Sequence, residues 1–227
     1  MISALLGLIQ LSMTPKILFI GNSHTYVNNV PQSVQMLLAS DGSHRKPTVK
    51  MVSVTLLEDS GAEVESAIRS DNWDVVVLQG AKVSSSHQYR YRQDRAIACA
   101  NLALSLKAKV FLCAEWPRRG WDESEYQLGV YREIQAAAKG STIIPICEVW
   151  DASRAKLGGI DLWAGDGNHA NPKGSFLSAC SIYRYIVHSA DAKPTWRPSA
   201  VTQREADTFH LVAAQNWINQ LPRKTRK

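Results

Sequence analysis

Apolar residues in this chain come in short unbroken runs, and helix-period patterns fill the intervals between them. Ile17-Leu18-Phe19-Ile20 and Val75-Val76-Val77-Leu78 contain no polar member. A strand without polar alternation is covered on both faces, as the central strands of a parallel sheet are. Five strands are predicted: Ile17–Gly21, Val49–Val54, Asp74–Gln79, Lys109–Ala114 and Thr142–Ile146. The segments after them carry apolar residues at helical spacing. Tyr126, Val130, Ile134 and Ala137 form one such face, Phe176, Ala179, Cys180 and Tyr183 another, and Phe209, Val212, Ala213 and Trp217 a third.

The helix ends have their own signals. Asp122 with Glu125 reads as a capping-box variant, and Gly140 as the stop of that helix. Asn171 is placed to cap a helix whose first residue is Pro172. Thr202 and Glu205 frame the start of the last helix. Alternating strands and helices require right-handed crossovers, so the predicted fold is a three-layer α/β/α sandwich. Its sheet has five parallel strands in the flavodoxin-like order 2-1-3-4-5.

The chain has 227 residues, 45% hydrophobic and 20% charged, which suits one well-buried domain. Residues 15–222 are read as that domain, 1–14 as an N-terminal extension and 223–227 as a basic tail. The net charge of +6 is partly carried by Arg223-Lys224-Thr225-Arg226-Lys227. Nucleic-acid binding would need a basic stripe interleaved with aromatics, and only Tyr89-Arg90-Tyr91-Arg92 has that character, so no nucleic-acid partner is expected. The apolar run Ile2–Leu11 is too short to span a bilayer and lacks a basic flank. The expectation is a cytoplasmic protein, with export the alternative if residues 1–13 act as a degenerate signal. Cys99, Cys113, Cys147 and Cys180 lie in apolar or small-residue segments without a C-x-x-C pair and read as buried free thiols.

Open parallel sheets bind ligands at the carboxyl ends of their strands, near the point where strand order reverses. Strand one ends at Gly21-Asn22-Ser23, strand two leads into Ser60-Gly61, strand three ends at Gln79-Gly80, and strand four at Glu115-Trp116. Asp166-Gly167-Asn168-His169 follows strand five, just before a helix. One sheet edge therefore gathers a hydroxyl, an imidazole, a carboxylate, a glycine N–H and an amide side chain. A serine hydroxyl needs a neighbouring imidazole to take its proton, and the imidazole needs an acceptor to fix its tautomer. Placing Asp166 three residues before His169 lets one turn carry both, although Asp161 is a nearby competitor. The α/β-hydrolase elbow G-x-S-x-G is not matched, because Gly21-Asn22-Ser23-His24-Thr25 lacks the second glycine.

On these residues the chain resembles the SGNH hydrolases, the GDSL esterase/lipase superfamily, in a branch that writes its first block G-N-S. Ile17–Ser23 matches the first block and Asp166–Ser175 the last, and the resemblance spans roughly Ile17 to Ile186. It implies Ser23 as nucleophile, His169 as base and Asp166 as its orienting carboxylate. It also implies an oxyanion hole from the N–H groups of Ser23 and Gly61. The family's asparagine donor is replaced here by Gln79.

The implied activity is hydrolysis of carboxylic esters through an acyl-enzyme, with short acyl groups on carbohydrates as the expected substrate and no cofactor or metal. An acyltransferase using the same three residues, or a carbohydrate-binding domain with an inactive triad, are the alternatives. Asn22, His24 and Trp116 are further candidates for substrate contact. Against those roles, His24 could be a pocket wall and Trp116 could pack beneath a loop.

Overall fold

A computed structural model describes residues 14–42 and 46–222. The apolar run at Ile2–Leu11 and the basic tail lie outside the described residues. The strands are β1 (Lys16–Gly21), β2 (Thr48–Ser53), β3 (Val75–Leu78), β4 (Lys109–Ala114) and β5 (Thr142–Pro145). They form one parallel sheet in the order β2-β1-β3-β4-β5. The helices are α1 (Ser23–Tyr26), α2 (Val30–Ser40), α3 (Ala62–Arg69), α4 (Asp94–Ser105), α5 (Ser124–Ala137), α6 (Ile146–Lys156), α7 (Pro172–Val187) and α8 (Gln203–Gln220).

The pleat explains why the central runs carry no polar residue. In β1, Ile17 and Phe19 face one core with the apolar sides of α2, α6, α7 and α8. Leu18 and Ile20 face a second core under α3, α4 and α5. Each side chain of β3 is buried, Val75 and Val77 on the first face and Val76 and Leu78 on the second. A period of two with both faces covered leaves no position for a polar side chain within the strand. Strand β2 is an edge strand, and its burial is correspondingly partial.

Two of the three expected caps form. Asn171 accepts the N–H groups of Lys173 at 2.9 Å and Gly174 at 3.1 Å, with Pro172 at the first position of α7. Thr202 and Glu205 make a complete capping box at the start of α8. Asp122 does not cap α5. That helix starts at Ser124 with Glu123 in the cap position and no capping hydrogen bond from its side chain. The reason is that the Glu123 carboxylate is used elsewhere, by the N–H and guanidinium of Arg118 and by His87.

All four cysteines are buried and free. Burial pushes the Cys99 thiol up to about 11 and Cys147 to about 12, so neither is a thiolate near neutrality. No helix among the described residues is long and apolar enough to cross a membrane.

Candidate active site

The carboxyl edge of β1 presents Ser23 through a close-packed turn. A Cβ built on Gly21 would stand 2.5 Å from the Thr25 hydroxyl and 2.6 Å from Gln79 Oε1, so only glycine fits. Asn22 follows in extended conformation and caps α1, its side-chain oxygen accepting the His24 N–H at 3.0 Å. Ser23 is thereby set at the first position of a single helical turn.

The loop carrying the other two residues is fixed from several sides. Trp163 bridges Ala170, Ala164 N–H donates to the His169 carbonyl at 2.7 Å, and Asn171 N–H donates to the Leu162 carbonyl at 2.9 Å. Gly167 takes φ +71°, the left-handed region that glycine enters without a Cβ clash, and its carbonyl accepts Arg119 N–H at 2.8 Å. Below the loop, Trp150 stacks on Trp116 at 4.8 Å and meets Trp163 edge-on at 5.4 Å. Trp116 Nε1 donates to the Asn168 carbonyl at 2.9 Å. Gly174 lets α7 approach this layer, since a Cβ there would stand 2.5 Å from the Trp150 ring.

This framework brings Ser23, His169 and Asp166 into one hydrogen-bonded chain. His169 Nε2 lies 2.8 Å from Ser23 Oγ, and its Nδ1 lies 2.5 Å from Asp166 Oδ2. Asp166 Oδ1 accepts the N–H groups of Asn168 and His169, both at 2.9 Å. The His169 side-chain hydrogen bond, then these two N–H groups, hold the Asp166 carboxyl well below the usual carboxylate range. Asp161 is not a rival. It pairs with Arg119 at 2.9 Å and accepts the Trp163 N–H.

Gln79 reaches the site from β3 and is 4% exposed. Its Oε1 accepts the Asn22 N–H at 2.9 Å and the Thr25 hydroxyl at 2.7 Å. Its amide group donates to Asn22 Oδ1 at 2.8 Å and to Glu115 Oε1. Both amide hydrogens are therefore engaged, which does not match the expectation of a donor turned toward an oxyanion. Gln79 holds Asn22, the residue before Ser23, through both its amide oxygen and its amide nitrogen.

Gly61 caps α3, and its N–H donates to the exposed Glu63 carboxylate at 2.8 Å. The connection leading to it is tied to neighbouring strand ends by Val54 N–H to the Gly21 carbonyl and Leu57 N–H to the Gly80 carbonyl.

The remaining candidates divide. Asn22 is committed to the protein, since its side-chain amide also donates to the Thr55 carbonyl at 3.3 Å. Trp116 is 3% exposed and serves as the floor of the His169 loop. His24 lies beside the triad, its ring 5.3 Å from that of His169 and 4.8 Å from Trp116. Its Nδ1 meets Glu115 Oε2 at 2.8 Å. Burial opposes charge on both partners, but their mutual attraction and hydrogen bond outweigh it. The His24 pKa is raised and that of Glu115 lowered, each shift favouring the charged form.

Glu115 had no assigned role from sequence. The available signal was a carboxylate directly after an unbroken apolar strand, a position that demands a buried partner.

A scan of the sequence against family models gives no match, and neither does a search of curated proteins. Solved structures do match in fold. A DUF4886 family protein from Bacteroides uniformis superposes with a TM-score of 0.63 at 16% identity, over 89% of this chain and 94% of that one. A catalytic mutant of Axe2, an acetylxylan esterase from Geobacillus stearothermophilus, gives 0.59 at 18% identity, over 76% and 94%. A putative SGNH hydrolase from Slackia heliotrinireducens gives 0.55 at 20% identity, over 76% and 99%.

Proposed function

We propose that this chain, whose fold is that of the SGNH hydrolases, cleaves carboxylic esters through an acyl-enzyme on Ser23. The observation that carries the reading is the unbroken chain from Asp166 through His169 to Ser23 Oγ, at 2.5 Å and 2.8 Å. Asp166 accepts a hydrogen bond from Nδ1–H, which leaves the Nε2 lone pair facing the hydroxyl. Ser23 Oγ attacks the ester carbonyl as its proton passes to His169 Nε2. Collapse of the tetrahedral intermediate breaks the bond to the alcohol oxygen, which takes that proton. Water then attacks the acyl-enzyme by the same route in reverse, releasing the acid and restoring Ser23.

The charge on the tetrahedral oxygen needs donors held in place beforehand. The N–H groups of Ser23 and Gly61 are assigned that task. Gly61 N–H already holds an anionic oxygen, that of Glu63, and this exposed side chain must swing aside for substrate. Gln79 acts one step back, by fixing the Asn22 backbone and side chain. The acyl group is proposed to be short and the alcohol a carbohydrate. The acetylxylan esterase among the fold neighbours supports that choice.

A series of p-nitrophenyl esters from acetate to palmitate tests the reading. Release should be fastest with acetate and fall as the acyl chain lengthens. No release from any member would overturn it.

A further inference from the structure

A cleft of about 170 Å³ opens beside the triad, with His24, Ser84, Arg118, Tyr126, Gln127 and Asn168 on its walls. Ser23, His169 and Asp166 do not line it, but the His24 ring on its wall stands 5.3 Å from the His169 ring, which puts the cleft next to the proposed base.

Two of the lining side chains carry a polar atom that is buried without a hydrogen-bond partner in the protein: His24 Nε2 and Gln127 Oε1. Both side chains are held from behind. Gln127 is 7% exposed, and its amide nitrogen donates to the Trp116 carbonyl at 3.4 Å, which leaves Oε1 as an acceptor. His24 Nδ1 is taken by Glu115, which leaves Nε2. Buried polar atoms in folded proteins are nearly always satisfied, so two orphans on one cleft mark where a ligand's polar atoms belong.

The charges around the cleft narrow the ligand class. Glu115 balances His24, while Glu123 balances Arg118 and also bonds His87 at 2.9 Å. With its charges paired internally, the cleft does not call for an anion or a cation. An alkyl chain would leave both orphans stranded. A hydroxyl both gives and accepts a hydrogen bond, so it can serve Gln127 Oε1, and it can serve His24 Nε2 whether or not that nitrogen carries a proton.

We propose that this cleft is the leaving-alcohol subsite, and that His24 and Gln127 select a polyhydroxylated alcohol through its hydroxyl groups. The assignment rests on the ester-hydrolase reading and adds the residues that would set its specificity. Sites built to hydrogen-bond a hydroxyl reject analogues lacking it far more strongly than apolar pockets reject an added one.

The test compares wild type and Gln127→Leu on p-nitrophenyl acetate and on a monoacetylated methyl glucoside. The variant should lose at least about tenfold more kcat/KM on the sugar ester than on the aryl ester. Equal losses, or a wild type that cleaves p-nitrophenyl acetate but not the sugar ester, would overturn the subsite while leaving the hydrolase intact. Failure of wild type on both esters would instead sink the hydrolase reading, and the subsite with it. If Gln127→Leu does not fold, wild type alone decides. Methyl glucoside should inhibit p-nitrophenyl acetate hydrolysis competitively, and hexanol at the same concentration should not. Equal inhibition by the two would overturn the proposal.

Discussion

Gln79→Leu removes four hydrogen bonds with almost no change of volume, so its effect separates the two roles that Gln79 could have. The side chain is 4% exposed and joins Asn22, Thr25 and Glu115. The Thr25 hydroxyl can rotate to another acceptor, and Asn22 Oδ1 keeps the His24 N–H. The Asn22 N–H has no such recourse, whereas the buried Glu115 carboxylate loses one donor but keeps His24 and the Gly80 N–H. Stranding a buried donor or acceptor costs about 1–3 kcal/mol, toward the upper end for a charged group. One stranded donor and one weakened carboxylate, partly offset by the apolar leucine, give a net loss of about 2–3 kcal/mol.

In a domain of this size each kcal/mol moves Tm by about 2–4 °C, so the midpoint should fall by about 8 °C. Thermal unfolding followed by circular dichroism reads this, with turnover of p-nitrophenyl acetate measured alongside. A side chain that donated directly to the oxyanion would behave in the opposite way. Tm would hardly move, and kcat would fall by about 10²–10³-fold with little change in KM. A Tm within about 2 °C of wild type together with such a fall in kcat would refute the supporting role argued from these contacts.

Asp166→Asn should lower kcat by up to about 10⁴-fold, because an amide in place of the carboxylate no longer enforces the Nδ1–H tautomer of His169. Asp161→Asn should change kcat by less than about threefold, since Asp161 only pairs with Arg119 at the surface and caps Trp163, and exposed pairs contribute little. Steady-state kinetics on the two folded variants check this, and comparable losses would contradict the assignment.

A third expectation concerns stability. Burial, then the charge of Arg184, lowers the His210 pKa to about 4. The unfolded chain takes up this proton near pH 6.5 and the native state does not, so stability falls as pH drops from about 6.5 toward about 4. The contribution at pH 4.5 is about 2–3 kcal/mol. Urea unfolding at pH 7 and pH 4.5 should show His210→Phe losing less stability than wild type by about that amount. An identical pH dependence would rule it out.

The fold was legible because its central strands are apolar without interruption, and only a sheet covered on both sides requires that. The alternation of elements implies a parallel sheet, and the order 2-1-3-4-5 is a choice among doubly wound arrangements that the structure matches. Asn171 and Thr202 announced their helices through local chemistry. Boundaries shifted by a residue or two where backbone pairing ends, as at Asp74 and Gln79. The Asp122 cap failed for a tertiary reason: the adjacent Glu123 is drawn to Arg118 and His87, contacts that no local pattern encodes.

At the site, Ser23, Asp166 and His169 could be picked out because two short blocks fall at predictable ends of strands. The environment of Gln79 could not, since its partners come from the turn after β1 and the end of β4. Gln127 left no signal either. It lies among the inward-facing residues of α5, where a polar side chain is indistinguishable in sequence from one at a helix margin until the cleft beside it is known.

Activation of Ser23 as a nucleophile by His169 is tested most directly by covalent labelling. A fluorophosphonate or sulfonyl fluoride requires an activated hydroxyl and forms a bond that mass spectrometry can locate. One adduct per chain is expected, mapped to the peptide containing Ser23, with esterase activity lost in step with labelling. Ser23→Ala should take no label and hydrolyse no ester above background. An adduct on another residue, or ester hydrolysis that survives in Ser23→Ala, would contradict it.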